Sequence, residues 1–159
     1  MLPYLSNILY LHSILRYFIL GFAILVVVQC LVGMLRKQDF KKRIRVSALF
    51  LLIFCDLQLL FGIALYYYKL INNGLLQNVN VMKDTYARFY AVEHSISMVV
   101  GIILVHITYS IAKKNMDSDR KFKRMFWCSF IALALFLAMI PWEGKQVVGR
   151  PNIPSMQGS

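Results

Sequence analysis

Four long apolar runs constrain the fold of this chain more than any other feature of its sequence. The runs cover about residues 8–35, 46–68, 89–112 and 125–142. A helix needs roughly 20 apolar residues to cross the hydrocarbon core of a bilayer, and each run is close to that length or longer. Continuous apolar runs indicate helices, which also satisfy every backbone hydrogen bond in lipid. The sequence therefore predicts an all-α fold, an integral membrane four-helix bundle.

The composition and the loop lengths support a single membrane domain. Of 159 residues, 59% are hydrophobic and 16% are charged, which is more apolar than a soluble domain of this length requires. Short loops between helices favour one bundle, so we assign residues 1–143 to a transmembrane domain. Residues 144–159 are rich in Gly, Pro and polar residues, and we expect them to form an extended polar tail outside the membrane.

The distribution of basic residues predicts the orientation in the membrane. Twelve of the 18 Lys and Arg residues lie in the first and third loops, and five lie on the opposite side. Cytoplasmic loops are the ones enriched in Lys and Arg, so both termini are expected on the periplasmic side of a bacterial inner (cytoplasmic) membrane. The net charge of +11 is then a topology signal. We expect the lipid bilayer and no nucleic acid as a partner, because the short loops carry no nucleic-acid-binding motif.

Polar and ionisable residues inside the apolar runs are the candidate functional residues, because they are costly in lipid and usually face the bundle interior. They are His12, Arg16, Asp56, Gln58, Glu93, His94 and His106. Counting along each helix places His12 about 13 Å and His94 about 11 Å to the outer side of the helix middle. Arg16 lies one turn deeper than His12 on the same face. His12 and His94 are thus expected at matching depth on two different helices.

Two imidazoles that face each other across a bundle are what a bis-histidine haem b site requires. Arg16 or Arg88 is a candidate partner for a haem propionate, and Glu93 is a candidate to orient a ligand or to neutralise Arg16. A simpler interpretation is that these side chains only hydrogen-bond between helices, with Arg16 and Glu93 as an ion pair.

The third histidine, His106, limits the prediction to at most one such haem. It is twelve residues from His94, which places it about 120° around the helix from that residue. No second-helix histidine is available to pair with it. We interpret His106 as a packed or hydrogen-bonded residue with Asp56 or Gln58 as a neighbour.

Segments from all four runs carry a family resemblance. They are residues 11–17 (LHSILRY), 56–62 (DLQLLFG), 91–98 (AVEHSISM) and 140–142 (IPW). Together they resemble a family of small bacterial four-helix membrane proteins labelled cytochrome b-like. The resemblance implies that His12 and His94 are the family's membrane histidines and that Arg16, Gln58 and Glu93 are its other intramembrane polar positions. It further implies haem b, electron transfer, and a quinone or a redox partner subunit as the partner.

Two other classes of function stay open at this stage. One is a cofactor-free membrane protein whose outward-facing polar pocket contains His12, Arg16, Glu93 and His94, with Arg88 and Glu143 as further candidates. The other is an accessory or assembly subunit of a larger membrane complex. The sequence has no nucleophile motif, H-E-x-x-H motif or phosphate-binding loop, so no enzymatic reaction is assigned. No oligomeric state is assigned either.

Overall fold

The computed structural model describes residues 3–68 and 80–151, and every regular element within these ranges is a helix. The elements are α1 (Pro3–Leu35), α2 (Lys42–Tyr66), α3 (Thr85–Arg88), a π-helical turn (Phe89–Glu93), α4 (His94–Lys113) and α5 (Ser118–Met139). The π turn joins α3 to α4, so Thr85–Lys113 forms one continuous helix. Four helices are long and apolar enough to cross a membrane, which confirms the predicted helical class.

The fourth membrane-length helix differs most from its predicted bounds. The apolar run starts near residue 125, but α5 begins at Ser118 because Asp117 caps it, with its Oδ2 accepting a hydrogen bond from the Arg120 N–H at 3.3 Å. The helix ends at Met139 because Pro141 disfavours helical backbone at the residue before it. The basic first turns of α5 thus lie before its apolar run rather than within it.

The four long helices form a ring in which α1 and α4 stand diagonally opposite. Helix α1 packs against α2 and α5, and α4 packs against the same two helices. Short connections make α1 antiparallel to α2 and α4 antiparallel to α5. The hydroxyl of Tyr66, at the end of α2, donates to the Ala91 oxygen near the start of the third long helix at 3.4 Å, so α1 and the third long helix enter the bundle from the same end. Residues near the beginning of α1 and near the beginning of α4 therefore lie at similar depth on opposite sides of the bundle axis.

One end of the bundle is closed by aromatic packing, and we call it the packed end, defined by Gly33, Phe40 and Phe122. Phe122 is fully buried, and its ring occupies the space that a Cβ on Gly33 would need. The Phe40 ring lies 5.4 Å from the Phe122 ring, and the Phe40 N–H donates to Ser118 Oγ at 3.1 Å. These contacts join the end of α1, the first loop and the start of α5.

Gly33→Ala is expected to lower the free energy of unfolding by about 1–3 kcal/mol, because the added Cβ would overlap the buried Phe122 ring. Gly21→Ala is the matched control on α1, since no atom lies within 4 Å of a Cβ built there. The control should keep or raise the melting temperature, because Ala favours a helix more than Gly. Thermal unfolding of both variants in one detergent measures the difference, and equal midpoints would contradict tight packing at Gly33.

Candidate functional site

A cavity of about 330 Å³ lies between the helices at the end opposite the packed end, which we call the cavity end. Its walls come from α1, α2, the third long helix, α5 and the segment after α5, and their accessible surface is mostly apolar. Leu9, Ile19, Leu59, Met98 and Ile102 are among the apolar side chains that line it. A volume of this size and an apolar wall with a few convergent polar groups are typical of sites for small organic ligands.

His12 and His94 both line this cavity. His12 belongs to α1 and His94 is the first residue of α4, so the two imidazoles come from the diagonally opposite helices. Both side chains are partly buried. Residue counting placed His12 and His94 at similar depth, and in the structure both side chains line the same cavity.

The His94 ring is oriented by the end of α5. Its Nδ1 lies 2.8 Å from the backbone oxygen of Met139, the last residue of that helix. A carbonyl oxygen only accepts hydrogen bonds, so Nδ1 carries the proton and donates it. In the neutral ring, Nε2 then keeps its lone pair. A histidine that donates from one ring nitrogen to a carbonyl and keeps the other free is arranged as metal-ligating histidines commonly are.

The His12 ring lies against α2 at a glycine. A Cβ built on Gly62 would stand 3.5 Å from His12 Cε1, so any larger side chain at position 62 would reach the ring. Gln58, one turn earlier on α2, donates from Nε2 to the His12 backbone oxygen at 2.9 Å. His12 Nδ1 and Gln58 Oε1 are buried and have no hydrogen-bond partner among the described residues. Because buried polar atoms are normally paired, these two atoms mark the wall where a ligand or water would bind.

Two arginines line the cavity. Arg16 is buried on α1, one turn from His12, and its guanidinium lies 5.2 Å from the centre of the Tyr17 ring. Arg150 comes from the segment after α5. No Asp or Glu lines the cavity within the described part of the chain. The site therefore combines an apolar wall with two fixed positive charges.

The segment after α5 folds back onto the cavity end. The sequence had predicted an extended polar tail here. Hydrogen bonds from Gly149 N to Lys145 O (2.8 Å) and from Arg150 N to Pro141 O (3.2 Å) close a series of turns. Val148 is buried, and its backbone oxygen accepts a hydrogen bond from the Tyr90 hydroxyl at 2.7 Å. The correction applies to residues 144–151, because residues 152–159 lie outside the described part of the chain.

Glu93 and Arg88 do not line the cavity, although both were predicted there. Glu93 pairs with Arg88 at 2.8 Å rather than with Arg16, and both side chains are substantially exposed. Successive residues on a helix are about 100° apart, so Glu93 points away when His94 faces the cavity. Arg88 likewise lies between Tyr86 and Tyr90, which face inward. Glu143 is exposed and also lies outside the cavity lining.

His106 and Asp56 form a separate polar pair, as predicted for His106. The distance from His106 Nε2 to Asp56 Oδ1 is 2.9 Å, and both side chains are nearly half exposed on the outside of α4 and α2. Neither residue lines the cavity. This pair is therefore a contact between neighbouring helices and not part of the histidine site.

The π-helical turn before His94 keeps one face of the third long helix on the cavity. Tyr86, Tyr90, His94, Met98 and Ile102 all line it at intervals of four residues. In a regular α-helix such a series drifts about 40° around the axis at each step. A π turn accommodates an extra residue and rotates the face back, which is one reason such turns recur at functional sites. Ser95 Oγ donates to the Tyr90 oxygen at 2.8 Å within this turn.

Four contributors to the site were not predicted from the sequence: Gly62, Tyr86, Tyr90 and Arg150. Gly62 lies in a segment that carried the family resemblance, but a glycine gives no sign of which side chain it faces. The intervals of four from Tyr86 to His94 were a usable signal for the two tyrosines. Arg150 was counted only as a basic residue on the outer side, since its position depends on how the tail folds.

Comparisons of the chain with protein-family models, with curated proteins and with solved structures find no match. The assignment of the site therefore rests on the residues and contacts described above.

Gly149→Ala is expected to open the segment after α5. A Cβ at this position would collide with the backbone oxygens of Trp142, Glu143 and Lys145, which are fixed by the turns. Trypsin should then cleave the native protein after Lys145 roughly tenfold faster or more, since proteolysis follows the population of the open form. Gly144→Ala is the control, because an added Cβ meets no atom within 4 Å there. Wild-type cleavage of Gly149→Ala would show that the turns are not held in this way.

Proposed function

We propose that this chain is a multi-pass membrane protein that binds one b-type haem through His12 and His94 and takes part in electron transfer. One observation carries the proposal: the two imidazoles come from diagonally opposite helices and line one cavity. A haem iron with two histidine ligands needs one imidazole on each face of the macrocycle. A slot between helices with a histidine on either side is the arrangement that suits this cofactor.

The residues around the cavity fit a haem in three further respects. Gly62 places no side chain of its own against the His12 ring. The His12 Nδ1 atom is buried without a partner among the described residues, so the ring has bonding capacity left. The mostly apolar wall suits a flat hydrophobic ring, and two arginines are present for its carboxylates. Two protein ligands are enough for a haem iron, because the porphyrin would supply its remaining nitrogen ligands.

In this proposal the chain orients the ligands and keeps water away from the iron. A bound haem b would supply one-electron redox chemistry. The Met139 carbonyl holds His94 in the tautomer whose Nε2 is free. Gln58 ties α2 to α1 beside His12 and so fixes the spacing of the wall. A quinone or a redox partner subunit would exchange electrons at the cavity end.

His12→Ala and His94→Ala are each expected to abolish the spectrum of low-spin, six-coordinate haem. The wild-type protein, purified in mild detergent, should show a Soret band that sharpens and shifts on dithionite reduction, with resolved α and β bands. Each alanine variant should lose most of its haem or become five-coordinate, because one axial nitrogen is removed. The measurement is the reduced-minus-oxidised absorption spectrum with a pyridine haemochrome assay for haem content.

His106→Ala is the matched control, since His106 lies outside the cavity and should leave the spectrum unchanged. Thermal unfolding of all three variants separates loss of haem from loss of fold. Wild-type haem content and spectrum in His94→Ala would refute the ligand assignment, and a colourless wild-type protein made with added haem precursor would refute the haem itself.

The proposal places the cavity end on the periplasmic side of a bacterial inner membrane, with both termini on that side. It is supported by the excess of Lys and Arg in the two loops at the packed end and in the helix ends beside them. A haem there would lie close to carriers outside the cytoplasm and within reach of the quinone pool.

Single cysteines on either side test this orientation. Gly144→Cys lies at the cavity end and Asp39→Cys lies in the first loop, and both positions are exposed. A membrane-impermeant maleimide should label Gly144→Cys in intact spheroplasts and Asp39→Cys only after lysis. The unaltered chain gives the background, because its three cysteines are buried or partly buried. The reverse labelling pattern would invert the proposed orientation.

A second candidate function is that of a subunit in a larger membrane complex. The observation that favours it is the His106–Asp56 pair, which is nearly half exposed on membrane-length helices. A polar pair facing hydrocarbon is costly, and contact with another protein would lower that cost. The purification that yields the spectrum also bears on this candidate, because a stably bound partner would co-elute with the chain.

A further inference from the structure

Arg150 is held at the cavity by aromatic side chains of the third long helix. Its Nη2 donates to the Tyr86 hydroxyl at 2.6 Å, and its guanidinium carbon lies 4.2 Å from the centre of the Tyr90 ring. The Tyr90 hydroxyl in turn donates to the Val148 oxygen, two residues before Arg150. The side chain is thus fixed on both sides although it comes from the segment after α5, and it remains part of the cavity wall.

No carboxylate among the described residues forms an ion pair with Arg150. The ion pairs among the described residues join Arg88 to Glu93, His106 to Asp56 and Lys123 to Asp119, and Arg150 belongs to none of them. Its contacts are with a neutral hydroxyl and with rings. Placing a partly buried guanidinium beside an apolar wall costs free energy unless an anion pairs with it. The cavity itself offers no described carboxylate that could do so.

We infer that the cavity accepts an amphipathic carboxylate, with the apolar body between the helices and the acid group bound by Arg150. A planar guanidinium presents paired N–H donors that match the two oxygens of a carboxylate. Because Tyr86 and Tyr90 already hold Arg150 in place, little side-chain freedom is lost when the acid binds. Arg16, deeper on α1, adds to the positive potential of the same cavity.

This inference rests on the proposed function only in its choice of ligand, since the propionates of haem are such carboxylates. A free fatty acid carries the same group on a flexible apolar chain. The histidines do not enter the argument, so a metal-free porphyrin tests the arginine without any contribution from iron ligation.

The experiment titrates protoporphyrin IX and its dimethyl ester into protein purified in detergent from cells grown without added haem precursor. Porphyrin fluorescence reports binding. The wild-type chain should bind the free acid at least roughly tenfold more tightly than the ester, because a charge-assisted hydrogen bond is lost in the ester. Arg150→Gln should weaken binding of the acid by a similar factor and leave binding of the ester unchanged, and Arg150→Lys should fall between.

Arg88→Gln is the matched control, since Arg88 is paired with Glu93 outside the cavity and should change neither affinity. A parallel titration with oleate distinguishes the two sources of the carboxylate. Arg150-dependent binding of oleate with no binding of either porphyrin would support the inference and contradict the haem proposal. Equal affinities for acid and ester, or acid binding that Arg150→Gln leaves intact, would overturn it, as would the absence of Arg150-dependent binding of any carboxylate.

Discussion

The contact between Phe122 and Gly33 brings α1 and α5 together at the packed end. It does not hold the helices together at the cavity end. A fully buried aromatic ring that occupies the space of a missing Cβ fixes how closely α1 and α5 approach. The same device recurs nearer the cavity, where the Phe136 ring lies against Gly101 and joins α5 to α4. Beyond that point the helices no longer fill the space between them, and the cavity begins.

Polar side chains within the helices show which part of the bundle is structural. Thr108 donates to the Leu104 oxygen and Ser129 to the Met125 oxygen, both at 2.8 Å, so these buried hydroxyls are satisfied by their own helices. The side-chain amide of Gln58 donates to the His12 backbone oxygen and so joins α2 to α1. At the cavity the pattern changes, because His12 Nδ1 and Gln58 Oε1 have no partner among the described residues. Gln29 Oε1, also buried on α1, has no partner among the described residues either, but Gln29 does not line the cavity. His12 and Gln58 do line it, so their unpaired atoms lie where a ligand could bind.

The sequence predicted the helices and the similar depth of His12 and His94 because both follow from short-range rules. Apolar runs define membrane-length helices, and a fixed rise per residue converts position into depth, which placed His12 and His94 at one level. Rotation about a helix is harder to predict. Arg88 and Glu93 lie next to residues that line the cavity, but their own side chains point away from it. Arg150 depends on turns that require glycine at position 149, because three backbone oxygens lie too close to the place where a Cβ would stand. No periodicity in the sequence encodes such a contact.

The positions of the two cavity arginines define a direction for any ligand. Arg16 is carried by α1 and stays at a fixed depth, whereas Arg150 lies on the segment after the last helix, where water is closer and a charge is less costly. An apolar body gains free energy by entering between the helices, and an acid group loses least by staying near the cavity end. A ligand that is polar throughout cannot satisfy both preferences. An amphipathic ligand satisfies both, with its apolar body between the helices and its acid group near the cavity end. The same residues that line the cavity therefore select for an apolar molecule with its charge at one end.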